Sequence, residues 1–175
     1  LDASLPRSVA RTHGRLEWAP ALSDVTSTGS AFLRSEALSV RVQLLSSHDR
    51  VVWPHELRDL EQRYSDAPGA RLQVPTLPSF AAGKTATWQE RHAPRDLWDL
   101  WAMTRIGAID DVAAELYRKY GPTNQLPARH IFDTPPTESE WHAQLAGQTR
   151  LTIDACQALA TVRDAWADVC RWTTS

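Results

Sequence analysis

The 175 residues include 42% hydrophobic residues and eight tryptophans, which is enough to bury a core and excludes an intrinsically disordered chain. The formal net charge of −2 excludes binding to nucleic acid through a general positive field, so any RNA contact requires a local basic patch. The longest apolar runs are too short to cross a bilayer. Cys156 and Cys170 fall in one predicted helix, about 21 Å apart along its axis, and cannot pair there. We therefore expect a cytoplasmic protein that does not bind a membrane.

The first 76 residues predict mostly strands. Short strands are predicted at residues 15–19, 37–45, 51–53 and 71–74, with a loop at 23–30. The clearest is 37–45, where Leu38, Val40 and Val42 alternate with polar residues and place one apolar face on a core. Residues 54–64 predict a helix, because Pro54 suits its first position and apolar residues recur along one stripe at Leu57, Leu60 and Tyr64.

The second half predicts helices. The first of these begins after a cap at Thr76 or Ser79 and ends before Pro94. Four more follow at about 95–105, from Asp110 or Asp111 to Tyr120, at 141–149 after a Thr137/Glu140 capping box, and at 152–172, with a proline-rich loop at 121–136. The chain is thus predicted to be α+β, with a small mixed sheet in residues 1–76 and a helical region in residues 77–175.

Charged residues gather in the stretch 78–105. Lys84 and Arg91 are seven residues apart and share one helical face, and Arg95, Asp96 and Asp99 open the next helix. Two carboxylates, two arginines and a lysine therefore meet at one corner between helices. Spacing alone leaves two interpretations open, a buried structural salt-bridge network or the wall of a phosphate-handling site.

The pattern Lys84-x6-Arg91-x3-Arg95-Asp96-Leu97-x-Asp99-Leu100 resembles the signature of the AbiEii-type nucleotidyltransferase toxins, including the MenT group. The resemblance covers roughly residues 35–120. It implies a polymerase-β-like nucleotidyltransferase, an enzyme that transfers a nucleoside monophosphate from an NTP. The MenT group adds nucleotides to the 3′ end of tRNA and so blocks translation, which implies tRNA, an NTP and a cognate antitoxin protein as partners.

The resemblance also implies roles for individual residues. Lys84 would contact the triphosphate, and Asp99 or Asp96, which the pattern does not separate, would orient Lys84 or the attacking hydroxyl. The candidate nucleotide-binding or RNA-binding residues are cationic or lie beside a cation: Lys84, Arg91, Arg95 and His92.

The family's chemistry implies two Mg²⁺ ions held by paired carboxylates. The motif that supplies these carboxylates, a Gly-Ser turn followed by Asp-x-Asp, is absent from the 175 residues, since Gly29-Ser30 is followed by no such pair. The chain begins at Leu1 and its only methionine is Met103, so we expect the metal-binding motif to lie upstream of Leu1.

Two other functions stay open at this point. The chain could be a catalytically inactive relative that binds RNA or a protein, or a helical interaction domain in which the charged cluster is structural. Two further features are weaker. The six histidines show no metal-ligand spacing. A modest basic patch is formed by Arg118, Lys119 and Arg129, and it is either a solvated surface or a contact for the tRNA backbone.

Overall fold

A computed structural model describes residues 4–26, 29–43, 52–62, 65 and 68–172. The chain divides into two compact units, residues 1–50 and residues 51–175. The described residues form six α-helices and two small antiparallel sheets, which confirms the α+β class. In these described ranges every strand pairing is antiparallel, so the expectation of a mixed sheet was wrong. The division into regions 1–76 and 77–175 stays a prediction.

The first unit contains one helix and a three-stranded sheet of order β1-β2-β3. Its elements are α1 (Ser4–His13), β1 (Glu17–Trp18), a 3₁₀ turn (Leu22–Asp24), β2 (Ala31–Arg34) and β3 (Ser39–Val42). The strands predicted at 15–19 and 37–45 are confirmed in part, although residues 44–50 lie outside the described residues. The buried side chains of this unit include Ala31 and Leu33 of β2, whereas Val40 of β3 is 40% exposed. The expected apolar face of residues 37–45 is therefore only partly covered.

The second unit begins with a two-stranded ribbon, β4 (His55–Asp59) paired with β5 (Arg71–Pro75). The helix predicted over 54–64 is wrong at residues 55–59, which form strand hydrogen bonds to a segment 16 residues later in the chain, and residues 63 and 64 lie outside the described residues. Asp59 lies directly opposite Arg71 and the two side chains form an ion pair at 2.8 Å. The strand predicted at 71–74 is confirmed. The residues predicted as a strand at 51–53 form no strand at 52 and 53, and Val51 lies outside the described residues.

Helices make up the rest of the second unit. They are α2 (Leu77–Arg91), α3 (Pro94–Thr104), α4 (Asp111–Tyr120), α5 (Glu138–Leu145) and α6 (Ala155–Cys170), with a 3₁₀ turn (Arg129–Phe132) before α5. The side chains of Thr76, Asp110 and Thr137 cap α2, α4 and α5, and the capping box of α5 is complete. The five helices predicted after residue 76 are all confirmed, with ends that differ by a few residues. Among the described residues, no helix has both the length and the apolar character to cross a bilayer.

The core of the second unit forms where α3 packs against α2, α5 and α6. Its largest fully buried side chains include Trp88, Trp141, Trp166, Phe132 and Leu100. The indole N–H of Trp88 donates to the carbonyl of Ile131 at 2.8 Å, and that of Trp141 donates to the carbonyl of Ile153 at 3.0 Å. These bonds join the helices to the intervening loops. The buried N–H of Trp166 has no acceptor among the described residues.

This difference between tryptophans gives a stability test. Replacing Trp88 by Phe leaves the carbonyl of Ile131 without its donor, whereas replacing Trp166 by Phe removes a donor with no described acceptor. We expect Trp88→Phe to lower the free energy of unfolding by about 1 kcal/mol more than Trp166→Phe does. Urea unfolding followed by circular dichroism measures both. Equal losses for the two variants would contradict the role of the Trp88 bond.

Candidate active site

The charged residues of the 78–105 stretch meet at the corner between α2 and α3. Helix α2 ends at His92, which adopts the left-handed conformation (φ 49°, ψ 35°) while its backbone N–H still donates to the carbonyl of Trp88. Pro94 then occupies the first turn of α3, where a proline without N–H is tolerated. This tight connection folds the first turn of α3 back beside the last two turns of α2. Asp96 and Asp99 are thereby brought against Lys84 and Arg91.

Asp96 is the buried centre of the cluster. Its side chain is only 1% exposed. Arg91 binds it in a bidentate manner, with Nε 2.7 Å from Oδ2 and Nη2 3.0 Å from Oδ1, and Lys84 Nζ lies 3.2 Å from Oδ1. An ionised carboxylate is costly to bury unless cations and hydrogen bonds satisfy both of its oxygens. Lys84 and Arg91 meet that requirement, and in doing so they join α2 to α3.

Asp99 has a different position from Asp96, one turn further along α3. Its carboxylate Oδ2 lies 2.5 Å from Lys84 Nζ, and its side chain is 39% exposed. Lys84 itself is 23% exposed. The structure therefore separates two aspartates that the sequence pattern left equivalent. Asp96 can only hold its neighbours in place, whereas Asp99 and Lys84 can both reach a bound molecule.

The ion pairs shift the protonation of their cations. Burial of the Lys84 ammonium lowers its pKa, but the hydrogen bonds and charges of Asp99 and Asp96 outweigh this effect, and the pKa of Lys84 is raised above its ordinary value of 10.5. Pairing with Asp96 likewise raises the pKa of Arg91. Both side chains are therefore cations at neutral pH.

A cavity of about 310 Å³ opens beside this cluster. Its lining combines the charged side chains with residues from α3, the end of α5 and the turn that follows α5: Lys84, Arg91, Arg95, Asp96, Trp98, Asp99, Leu145, Gln148 and Thr149. Arg95 lies against the Gln148 amide, whose oxygen, oriented toward Arg95, accepts from Nη2 at 2.7 Å and from Nε at 3.2 Å. Three cationic and two anionic side chains line the cavity, which leaves a net charge of about +1 and favours an anionic ligand.

Comparison with known families identifies the chain. The family model described as the nucleotidyl transferase AbiEii toxin, of the type IV toxin–antitoxin systems, matches residues 11–167. The chain belongs to the AbiEii family. The match extends well beyond the stretch 78–105 and includes the strands of the first unit. Comparison with curated proteins and with solved structures gave no significant match.

Five of the six candidate residues in this AbiEii-family chain come together at one cavity: Lys84, Arg91, Arg95, Asp96 and Asp99. His92 does not line it. Its ring packs on that of Trp88, with centroids 4.7 Å apart, at the exposed end of α2. Sequence reasoning missed Gln148, whose position depends on the packing of α5 against α3, and no local pattern marks it.

The aspartates of the AbiEii cluster do not fit a magnesium ion. Both oxygens of Asp96 already accept hydrogen bonds from Arg91 or Lys84, and the Asp99 carboxylate lies against the Lys84 ammonium. A divalent cation would have to displace these cations from their carboxylates. Within the described ranges, no group of three or more His, Cys, Asp or Glu side chains is arranged to hold a metal. We therefore assign no metal-ligand role to Asp96 or Asp99.

The two aspartates should differ in their effect on stability. Asp96→Ala leaves Lys84 and Arg91 beside a buried apolar side chain, and we expect it to lower the free energy of unfolding by about 3 kcal/mol. Asp99→Ala removes a partly exposed partner and should cost about 1 kcal/mol or less. Urea unfolding measures both, with Asp164→Ala, which removes an exposed partner of Arg163, as the matched control. Equal losses at positions 96 and 99 would contradict the central role of Asp96.

The raised pKa of Lys84 gives a second test. Because the folded-state pKa exceeds the unfolded value, the stability from these ion pairs is complete below pH 10.5 and is lost as the pH rises through the raised pKa. Asp99→Asn should lower the pKa of Lys84, since Asp99 makes the largest raising contribution. A ¹³C titration of the lysine Cε signals measures this directly. The chain has one other lysine, Lys119, and Lys84→Arg assigns the signal. An unchanged titration in Asp99→Asn would contradict the pairing.

Proposed function

We propose that this AbiEii-family chain transfers a nucleoside monophosphate from an NTP to the 3′ acceptor end of tRNA in the cytoplasm, as the MenT group does, and so blocks translation. The family match supports a nucleotidyltransferase toxin with an antitoxin counterpart. The observation that carries the site assignment is the position of the charged Lys84 ammonium. Its ammonium is fixed by Asp96 and Asp99 at the edge of a cation-lined cavity.

An ammonium group has three N–H donors. Two of those of Lys84 are directed to Asp96 and Asp99, which leaves a third for a phosphate oxygen. Because the two carboxylates hold the group in place, little side-chain freedom is lost when a phosphate binds. The cavity volume of about 310 Å³ lies within the range of small-molecule sites, which is about 300–1,000 Å³.

The proposed reaction is a substitution at phosphorus. The 3′-hydroxyl oxygen of the tRNA attacks the α-phosphorus of the NTP and loses its proton to water. The bond from the α-phosphorus to the bridging oxygen of the β-phosphate breaks, and pyrophosphate leaves. Lys84 would stabilise the negative charge that develops on the leaving group, and Arg91 and Arg95 would hold phosphates of the NTP or of the RNA. Asp99 would orient Lys84 or the attacking hydroxyl.

Magnesium is part of this proposal, with ligands other than Asp96 and Asp99. A second function, a helical interaction domain with a structural salt-bridge cluster, is favoured by one observation, the complete burial of Asp96 between two cations. The two proposals differ in what removal of the Lys84 ammonium does. Catalysis would fail in the first case, and only stability would change in the second.

Label transfer from each of the four α-³²P-NTPs to total tRNA tests the proposal in the purified full-length protein. We expect Lys84→Ala to reduce transfer about 100-fold or more, because it removes a donor to the developing charge. Arg163→Ala, which removes a cation of α6 that pairs with Asp164 and belongs to neither the charged cavity nor the proposed RNA contacts, is the matched control and should retain activity. Absence of transfer by the parent protein, or full activity of Lys84→Ala with any loss confined to its melting temperature, would refute the assignment.

A further inference from the structure

A second and larger cavity, of about 450 Å³, lies along α2 beside the tip of α4. Its walls include two half-buried aromatic rings, Trp53 and Tyr120, whose centroids are 5.7 Å apart and whose planes are inclined by 58°. The indole of Trp53 lies against Gly83, where an added Cβ would be 3.4 Å from the ring. A Cβ here would be in ordinary van der Waals contact with the ring, so the indole lies close to the α2 backbone.

A third space, of about 220 Å³, lies between this aromatic cavity and the Lys84 cluster. Trp53, Gly83 and Thr87 line both the aromatic cavity and this connecting space. Lys84 lines both the connecting space and the charged cavity. The three spaces are therefore neighbours along α2, with the cations at one end and the rings of Trp53 and Tyr120 at the other.

The polar groups of the aromatic cavity differ from those of the charged one. Glu90 contributes a carboxylate, which accepts hydrogen bonds and repels phosphate. The side-chain oxygen of Gln89 accepts a hydrogen bond from the buried hydroxyl of Tyr117. The two N–H donors of Gln89, which lines the cavity, are on the nitrogen of the same amide. The flat indole of Trp53, with one donor group and one acceptor group near it, matches the face and the edge of a nucleobase.

We propose that this aromatic cavity binds a nucleobase, stacked on Trp53 and recognised at its edge by Gln89 and Glu90. Phosphates attached to the same nucleotide, or to the strand that ends in it, then lie at Lys84. Because Glu90 accepts hydrogen bonds and the Gln89 amide donates them, the site suits a base edge that presents a donor beside an acceptor. The base comes either from the NTP or from the 3′ end of the acceptor RNA. The choice between these two sources rests on the proposed function, whereas the binding of a base does not.

Binding in the absence of turnover tests the cavity separately from catalysis. Isothermal titration calorimetry of the full-length protein would use two kinds of probe: the four nucleoside monophosphates, and the trinucleotide CCA. We expect Trp53→Ala to weaken binding of one kind of probe roughly tenfold, because it removes the stacking surface. Trp53→Phe, which keeps a ring, should retain most of the affinity and shows that the fold is intact. Trp18→Ala, at a half-buried tryptophan of β1, is the matched control.

The probe that is affected identifies the source of the base. Weaker binding of monophosphates assigns the cavity to the NTP, and weaker binding of CCA assigns it to the acceptor. Glu90→Gln should weaken binding of the same kind of probe that Trp53→Ala weakens, because an amide oxygen accepts less strongly than a carboxylate. Equal affinities of the parent and Trp53→Ala for every probe would overturn the proposal. A protein that transfers no label but loses base binding in Trp53→Ala would refute the proposed function and support the cavity.

Discussion

A single buried carboxylate constrains the centre of this protein. The Asp96 side chain is sealed from solvent at the α2–α3 corner, and both of its oxygens are bound by Arg91 and Lys84. Replacing such an ion pair by apolar residues often preserves or raises stability, so stability alone is a weak explanation for it. Its more specific effect is geometric. It fixes the corner that the tight turn at His92 creates and, together with Asp99, sets the direction of the Lys84 ammonium.

The sequence predicted which charges would meet but not what each would do. Lys84 and Arg91 share a face of α2, and the helix start at Pro94 brings the next aspartates beside them, so the cluster follows from local rules. Asp96 and Asp99 are three residues apart and lie on the same side of α3, which makes them equivalent in any periodic pattern. Only the tertiary packing buries one and exposes the other. Gln148 reaches the cavity through the same long-range packing.

The fold shows the same division between local and distant causes. The helices of the second unit were predictable because Thr76, Asp110 and Thr137 mark their starts with side-chain caps. The segment 54–64 carried a helical stripe, yet residues 55–59 pair with β5, a partner that no local pattern indicates. Helix α1 and strand β2 were missed in the weakly patterned first residues. The end of α1 did have a local signal in Gly14, whose φ of +73° suits a residue without a side chain.

Helix α2 explains why a phosphate site and a base site can be neighbours. At about 100° per residue, Arg91 lies nearly in line with Lys84, whereas Gly83, Thr87 and Glu90 point about 60–120° around the helix. One face therefore presents cations to the charged cavity, and the adjacent face contributes to the aromatic cavity. A nucleotide has the same two-part character, an anionic phosphate chain joined to a flat base. The Asp96 ion pairs fix only the charged face of α2, so the proposed base site depends on the position of Trp53 against this helix.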